Sequence, residues 1–344
     1  MKHITVVTPC FNEEENVDAV YSETRRVFST IPNVIYDHLF IDNASTDATV
    51  SKLQAIAAAD PVVSVIVNAR NFGHIRSPIY GLLQAKGDAV ILLVADLQDP
   101  PQLMQAFVEN WLAGASIVIG VKPKSEESAL FFALRRMYYR LVTRIANIKL
   151  IQNFTGFGLY DRKVIEIIRK IDDPYPYFRG LICEIGFDVV QLPYVQPQRK
   201  RGISKNNFHT LYDIAMLGIT SHSKVPLRLA TIAGFGLSGI SLCVSLIYLI
   251  LKLVYWNQFS MGSAPLLISL FFFSSVQLFF IGLLGEYVST ILTYVQKRPL
   301  VIERKRISGR MDPFCDPGQQ SPIPTGSTLA QRLPSHHPTN PKAL

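Results

Sequence analysis

Two segments near the C-terminus constrain this chain more than any other feature. Leu229–Leu251 and Ala264–Gly285 are apolar, and neither holds a charged residue. Each exceeds the roughly 20 apolar residues that a helix needs to cross the hydrocarbon core of a bilayer. A helix buried in a soluble core would rarely run so far without a charge. Two transmembrane helices are therefore expected, at about 229–254 and 264–292, with a turn around Trp256-Asn257-Gln258 making them a hairpin. Lys224 and Arg228 precede the first span, and Lys297, Arg298, Arg304, Lys305 and Arg306 follow the second, while the turn has no basic residue. The positive-inside rule then places both chain ends and the large N-terminal domain in the cytoplasm, and the inner (plasma) membrane is the expected location.

Three regions follow: a cytoplasmic domain over 1–226, the spans within 227–296, and a basic, then disordered, cytoplasmic tail over 297–344. Early in the chain, short β-branched runs alternate with amphipathic stretches. Strands are expected at Ile4–Val7, His38–Ile41, Val62–Val67, Ala89–Val94 and Ser116–Ile119, and helices at Glu14–Phe28, Asp47–Ala58, Ile75–Lys86 and Pro101–Ala113. That alternation predicts an α/β domain with a mostly parallel, doubly wound sheet. Ser128–Ile148 and Asn207–His222 read as amphipathic helices whose basic and aromatic residues suit an anionic membrane surface. A solvated basic face on a core helix would look the same. Beyond Ile307 the chain has too little apolar residue to pack, and His336-His337 reads as part of that tail rather than a metal site. The N-terminus enters a strand without a signal-peptide layout. Cys10, Cys183, Cys243 and Cys315 lack disulfide or metal-ligand spacing and read as reduced, structural residues.

The chemistry concentrates where the predicted strands end. Ala89–Val94 runs into Ala95-Asp96-Leu97-Gln98-Asp99-Pro100-Pro101, which puts carboxylate and amide oxygens at the carboxyl edge of the sheet, where open α/β sheets bind ligands. Such oxygens suit a hard divalent cation that bridges nucleotide phosphates. The plain alternative is a strand-to-helix turn with Asp99 as N-cap. Three more segments leave the same edge: Pro9-Cys10-Phe11-Asn12-Glu13-Glu14, Asp42-Asn43-Ala44-Ser45-Thr46-Asp47 and Asn68-Ala69-Arg70-Asn71-Phe72-Gly73. Singly, Glu13 and Asp47 could be helix caps and Arg70 a surface cation. Together, four loops on one edge describe a nucleotide site.

These loops, with Gly87-Asp88, Arg199-Lys200-Arg201-Gly202-Ile203-Ser204-Lys205, the paired spans, Gly285-Glu286-Tyr287 and Arg298-Pro299-Leu300, resemble glycosyltransferase family 2 with its Rossmann-like GT-A fold. The nearer likeness is to polyprenyl-phosphate glycosyltransferases, which include dolichol-phosphate mannose synthases and bactoprenol glucosyltransferases. It runs from Ile4 to Ile302. The resemblance implies that Pro9, Phe11, Glu13, Asp42 and Arg70 surround a nucleotide-sugar, with a UDP-sugar favoured. It also implies that Asp96 and Gln98 hold Mg²⁺ or Mn²⁺ and that Asp96 and Arg199 act in catalysis. Arg199, Ser204 and Lys205 would close over phosphate groups, as suits a glycine-containing basic loop. A juxtamembrane cluster touching lipid headgroups is the plainer reading of that loop. The implied partners are a nucleotide-sugar donor, a polyprenyl (undecaprenyl) phosphate acceptor and the bilayer. No nucleic acid is expected, and a homo-oligomer stays open.

Two positions depart from the family pattern. Val94 stands where members often carry an acidic residue, and Gly156 stands where many carry the Asp of a Gly-Asp-Phe-Arg-Leu segment. A phosphate monoester, with its second pKa near ~6, is largely a dianion at neutral pH and needs no base, unlike a sugar hydroxyl. Glu184 is the fallback carboxylate, or else a structural partner of Arg179. The reading is thus a membrane-anchored inverting hexosyltransferase. Transfer to a saccharide hydroxyl, or a non-catalytic scaffold, are the alternatives.

Overall fold

The computed structural model describes residues 1–122, 151, 153–195, 225–255 and 263–308. In chain order its elements are β1 (Lys2–Cys10), α1 (Val17–Ser29), β2 (Val34–Asp42), α2 (Thr49–Ala59), β3 (Val63–Asn68), α3 (Gly73–Gln84), β4 (Ala89–Leu92), α4 (Leu103–Leu112) and β5 (Ile117–Val121). They continue as β6 (Phe154–Asp161), α5 (Arg162–Ile171), α6 (Phe178–Glu184), β7 (Val189–Pro193), α7 (Val225–Val254), α8 (Ser263–Gln296) and β8 (Glu303–Ser308). One sheet runs β7-β5-β6-β4-β1-β2-β3-β8. Its central strands β4, β1, β2 and β3 are parallel, as the alternation of strand and helix predicts. Outside them the sheet is mixed: β6 is antiparallel to β4 and β5, and β8 is antiparallel to β3.

Strand periodicity sorts the core into two layers. Ile4, Val6, Phe40, Val65 and Ile91 join α1, α2 and α4 residues such as Val20, Leu53 and Phe107 on one face. Val7, Ile41, Ile66, Val90 and Leu92 meet Ile79, Leu82, Val164 and Ile168 of α3 and α5 on the other. Buried on both faces, these strands read as continuous apolar runs, which is why they are visible in the sequence. Gly81 lets α3 lie close against the sheet, since a Cβ there would lie 2.7 Å from Val7 Cγ1.

The two apolar segments form α7 and α8, each long and apolar enough to cross a membrane. Phe235 is 76% exposed and Leu278 69%, a surface that water would not tolerate over such a length. The Tyr294 hydroxyl, near the end of α8, donates to Asp173 Oδ2 at 2.9 Å. The predicted helices at 128–148 and 207–222, the hairpin turn and the tail beyond 308 lie outside the described residues. Arg304, Lys305 and Arg306, read from the sequence only as a basic flank, form part of β8 and extend the sheet beyond β3.

Side chains fasten β8 to α3. Tyr80 donates to Glu303 Oε1 at 2.8 Å, Arg306 pairs with Glu303, and Arg306 Nη2 donates to Gln84 Oε1 at 2.8 Å. Burial pushes the Glu303 carboxyl up, but its bonds to Arg306 and Tyr80 outweigh that and hold it below the ordinary range. A depressed carboxyl stabilises the fold above its unfolded pKa of about 4.3, and this contribution disappears as pH falls through the lower folded value. Glu303→Gln should therefore lower the thermal midpoint of the detergent-solubilised protein at pH 7, and the gap to wild type should close below about pH 4. A gap that is absent at pH 7, or that persists unchanged in acid, contradicts this ion pair.

Candidate active site

The strand order reverses at β1, with β2 and β3 on one side and β4 on the other. β4 ends at Leu92, opposite Val7, and one further bond joins Leu93 N to Val7 O at 3.0 Å. β1 continues to Cys10, paired there only with β2. A gap thus opens at the carboxyl edge between the ends of β1 and β4, in the position where such sheets receive ligands. Pro9 lies on this unpaired stretch, where a missing N–H costs least.

Three of the four loops turn on a non-glycine residue with positive φ: Asn12 (55°) after β1, Ala44 (62°) after β2 and Leu97 (55°) after β4. Side-chain hydrogen bonds hold the first two turns. Asn12 N donates to Ser45 Oγ at 2.9 Å, and Thr46 N donates to Asn12 Oδ1 at 2.8 Å. Asp42 is fully buried and accepts from both the hydroxyl and the N–H of Ser45. Burial raises its carboxyl, and the Ser45 bonds oppose this. Glu13 Oε2 accepts from Asn16 Nδ2 at 2.6 Å, and Asp47 accepts from Thr49 N at 3.0 Å and Glu14 N at 3.3 Å, so Asp47 joins the β1 and β2 loops just ahead of α2, whose N-cap is Ala48. Burial raises the Cys10 thiol, and Asp42, Glu13 and Asp47 add to the effect, which keeps it an unreactive thiol.

The β3 loop is tied to the β2 loop through Asn43. Its Oδ1 accepts from Asn68 Nδ2 (3.0 Å) and Phe72 N (2.8 Å), and its Nδ2 donates to Asn71 Oδ1 (2.8 Å). Arg70 is exposed and lies 4.3 Å over the Phe72 ring, a cation–π contact that orients the guanidinium along the loop. Asn43, Asn68 and Asn71 escaped the sequence reading as structural residues. Their amides tie the two loops together, a role that isolated motif letters do not reveal, although Asn68 Oδ1 is buried without a hydrogen-bond partner.

In the β4 loop, Asp96 and Gln98 are both half-buried, and Gln98 N donates to Asp96 Oδ1 at 3.2 Å. Asp99 turns inward: it is buried, accepts from the Tyr194 hydroxyl and lies 3.6 Å from Lys122 Nζ. Burial pushes its carboxyl up, while Lys122 and Tyr194 pull it back. Asp99 thus anchors the loop to the ends of β5 and β7, which the sequence did not disclose because Lys122 and Tyr194 are distant in the chain. Among the described residues no group of three His, Cys, Asp or Glu side chains could cage a metal. One carboxylate and one amide do suit a hard cation that takes its other ligands from phosphates and water.

Comparison with known proteins adds the decisive observation. The Glycosyl transferase family 2 profile matches residues 5–168. The chain is 36% identical over 307 residues to the SfII prophage-derived bactoprenol glucosyl transferase of Shigella flexneri, covering 89% of this chain and 99% of that one. It belongs to glycosyltransferase family 2. The bactoprenol glucosyl transferase of Shigella phage SfV is 35% identical across 87% of this chain and 97% of its own length. Among solved structures, the mannosyltransferase PcManGT from Pyrobaculum calidifontis in complex with GDP-Man and Mn²⁺ is similar at 17% identity and a TM-score of 0.42, covering 86% of each chain.

For this glycosyltransferase the two departures from the family pattern have a structural setting. Val94 is half-buried beside the gap. Gly156 lies in β6 with φ +107°, and its carbonyl accepts from the Tyr160 hydroxyl at 2.6 Å. A Cβ there would meet nothing nearer than Leu92 Cδ2 at 3.4 Å, so space permits a side chain and the backbone does not. Glu184 is exposed at the end of α6. Arg199, Ser204 and Lys205 lie outside the described residues. Gly156→Asp should destabilise the domain by about 1–3 kcal/mol through backbone strain and should not increase transfer. Unchanged thermal stability with faster turnover would show that a carboxylate at this position is accommodated and useful.

Proposed function

We propose that this enzyme moves a hexose, with glucose first in line, from a nucleotide-sugar to polyprenyl (undecaprenyl) phosphate with inversion at the anomeric carbon. The observation that carries this reading is likeness to bactoprenol glucosyl transferases over 89% of the chain, apolar helices included. A UDP-sugar is the donor we favour. Pro9, Phe11, Glu13, Asp42 and Arg70 would receive its nucleoside at the gap between β1 and β4, and Asp96 and Gln98 would hold Mg²⁺ or Mn²⁺ at its diphosphate. When bound, such an ion neutralises charge gathering on the departing diphosphate. Arg199, Ser204 and Lys205 would grip phosphate groups.

The bond changes need no base. A phosphate oxygen of the acceptor bonds to the anomeric carbon as that carbon's bond to the diphosphate oxygen breaks, and the electron pair leaves with the nucleoside diphosphate. The acceptor is already a dianion above its second pKa of about 6, so no proton must be taken from it. This fits a chain with glycine at position 156. Basic residues flank the apolar hairpin, which supports a domain facing the cytoplasm, where nucleotide-sugars are made.

The test uses membrane vesicles with labelled UDP-glucose added from outside. Inverted vesicles should form glycolipid with polyprenyl phosphate and none with polyprenol, right-side-out vesicles should form none, and the rate should fall on the acid side near pH ~6. Asp96→Ala should reduce transfer at least a hundredfold, about 2.7 kcal/mol or more of barrier, while leaving expression normal. Equal use of polyprenol, or full activity in Asp96→Ala, sinks the proposal.

A further inference from the structure

The strand that follows the second apolar helix does more than cover an edge. Ala69 N donates to Ile302 O at 2.8 Å, and Arg304 Nη2 donates to Ala69 O at 2.7 Å. Both backbone polar groups of the residue before Arg70 are therefore held by residues 302–304. Eleven positions on from Ala69, the Tyr80 hydroxyl bonds Glu303, and Gln84 receives Arg306. The segment Arg70-Asn71-Phe72-Gly73 is thus suspended between two attachments to β8. On its inner side the same segment is bonded to Asn43.

A strand that only blunted the β3 edge would need ladder bonds along β3 and charged side chains facing water. Lys305, exposed and paired in register with Val67, fits that description. Arg304 does not. Its guanidinium reaches a backbone carbonyl past Asn68, the last residue of β3, where the register is already irregular. A hydrogen bond from a charged donor to a carbonyl is stronger than a neutral one. It fixes the peptide plane from which the donor loop departs.

We propose that Arg304, together with the Ile302 carbonyl, positions the loop Arg70–Gly73 for the nucleotide-sugar. Arg304 acts through the Ala69 peptide and touches no substrate, so it is a positioning residue. This inference rests on the reading of that loop as part of the donor site. It makes the segment after the hairpin a working part of the enzyme: donor affinity depends on a strand that the chain supplies only after leaving the membrane segment.

The test compares full-length wild type, Arg304→Ala, Arg304→Lys and Lys305→Ala in nanodiscs, with UDP-glucose and GDP-mannose binding measured first by calorimetry. Arg304→Ala should raise the donor KM roughly fivefold, about 1 kcal/mol at 1.4 kcal/mol per tenfold. Its kcat and acceptor KM should stay within about twofold. Arg304→Lys, which keeps one charged donor, should recover part of the loss, and Lys305→Ala should behave as wild type. An unchanged donor KM in folded Arg304→Ala overturns the inference, as does a fall in kcat alone or an equal defect in Lys305→Ala. If Arg304→Ala does not fold, a donor KM for Arg304→Lys closer to wild type than that of Arg304→Gln supports the charged bond, and one no better than that of Arg304→Gln overturns it. A wild type that binds neither nucleotide-sugar instead defeats the donor-site reading itself.

Discussion

β1 is the strand on which the rest of the enzyme depends. It pairs along its length with β2, but β4 leaves it after Val7, so Thr8, Pro9 and Cys10 emerge with only one strand neighbour. A longer β4 would close the sheet edge and bury the ends of both strands in ladder bonds. The chain instead turns away at Val94 and presents Asp96 and Gln98 across the gap. Two helical layers clamp this arrangement, so the gap is set by packed side chains rather than by a mobile loop. Interiors packed at near-crystalline density hold such geometry with little play.

The loops around the gap keep their shape against local preference. The side chains of Ala44 and Leu97 cannot hydrogen-bond, and a left-handed conformation at each costs about 1–2 kcal/mol. That cost is offset by the bonds that Ser45 donates to Asp42 and by the anchoring of Asp99 to Tyr194 and Lys122. Strain collected at one edge, with compensation supplied from the layers beneath, is the pattern of a preorganised site. β8 adds an external brace to the loop after β3, so the site draws on both the first and the last strand among the described residues.

Much of this architecture can be read from the residues. Runs such as Val63–Val67 and Ala89–Leu92 are apolar on both faces because helices cover both, and their positions follow directly. Leu229–Leu251 and Ala264–Gly285 announce their helices by the absence of charge. Strands β6 and β8 are hidden for physical reasons. Phe154–Asp161 carries glycines at 156 and 158 that mimic a turn, and Gly158 is required because a Cβ would lie 2.6 Å from Val118 O. Glu303–Ser308 is mostly charged, as edge strands often are, and its pairing with β3 spans most of the sequence. The site is legible as motifs and illegible as a network. Asp96 and Gln98 stand out, whereas the inward turn of Asp99 depends on partners supplied by β5 and the end of β7.

On the proposed function, the gap between β1 and β4 receives a nucleoside diphosphate together with a divalent cation. The most direct measurement is anomalous scattering from Mn²⁺ in crystals of the full-length enzyme grown with UDP. One strong peak is expected within about 2.5 Å of an Asp96 carboxylate oxygen, with the diphosphate beside it and the uracil against the β1 and β2 loops. A peak distant from Asp96, or UDP bound outside this gap, would contradict it.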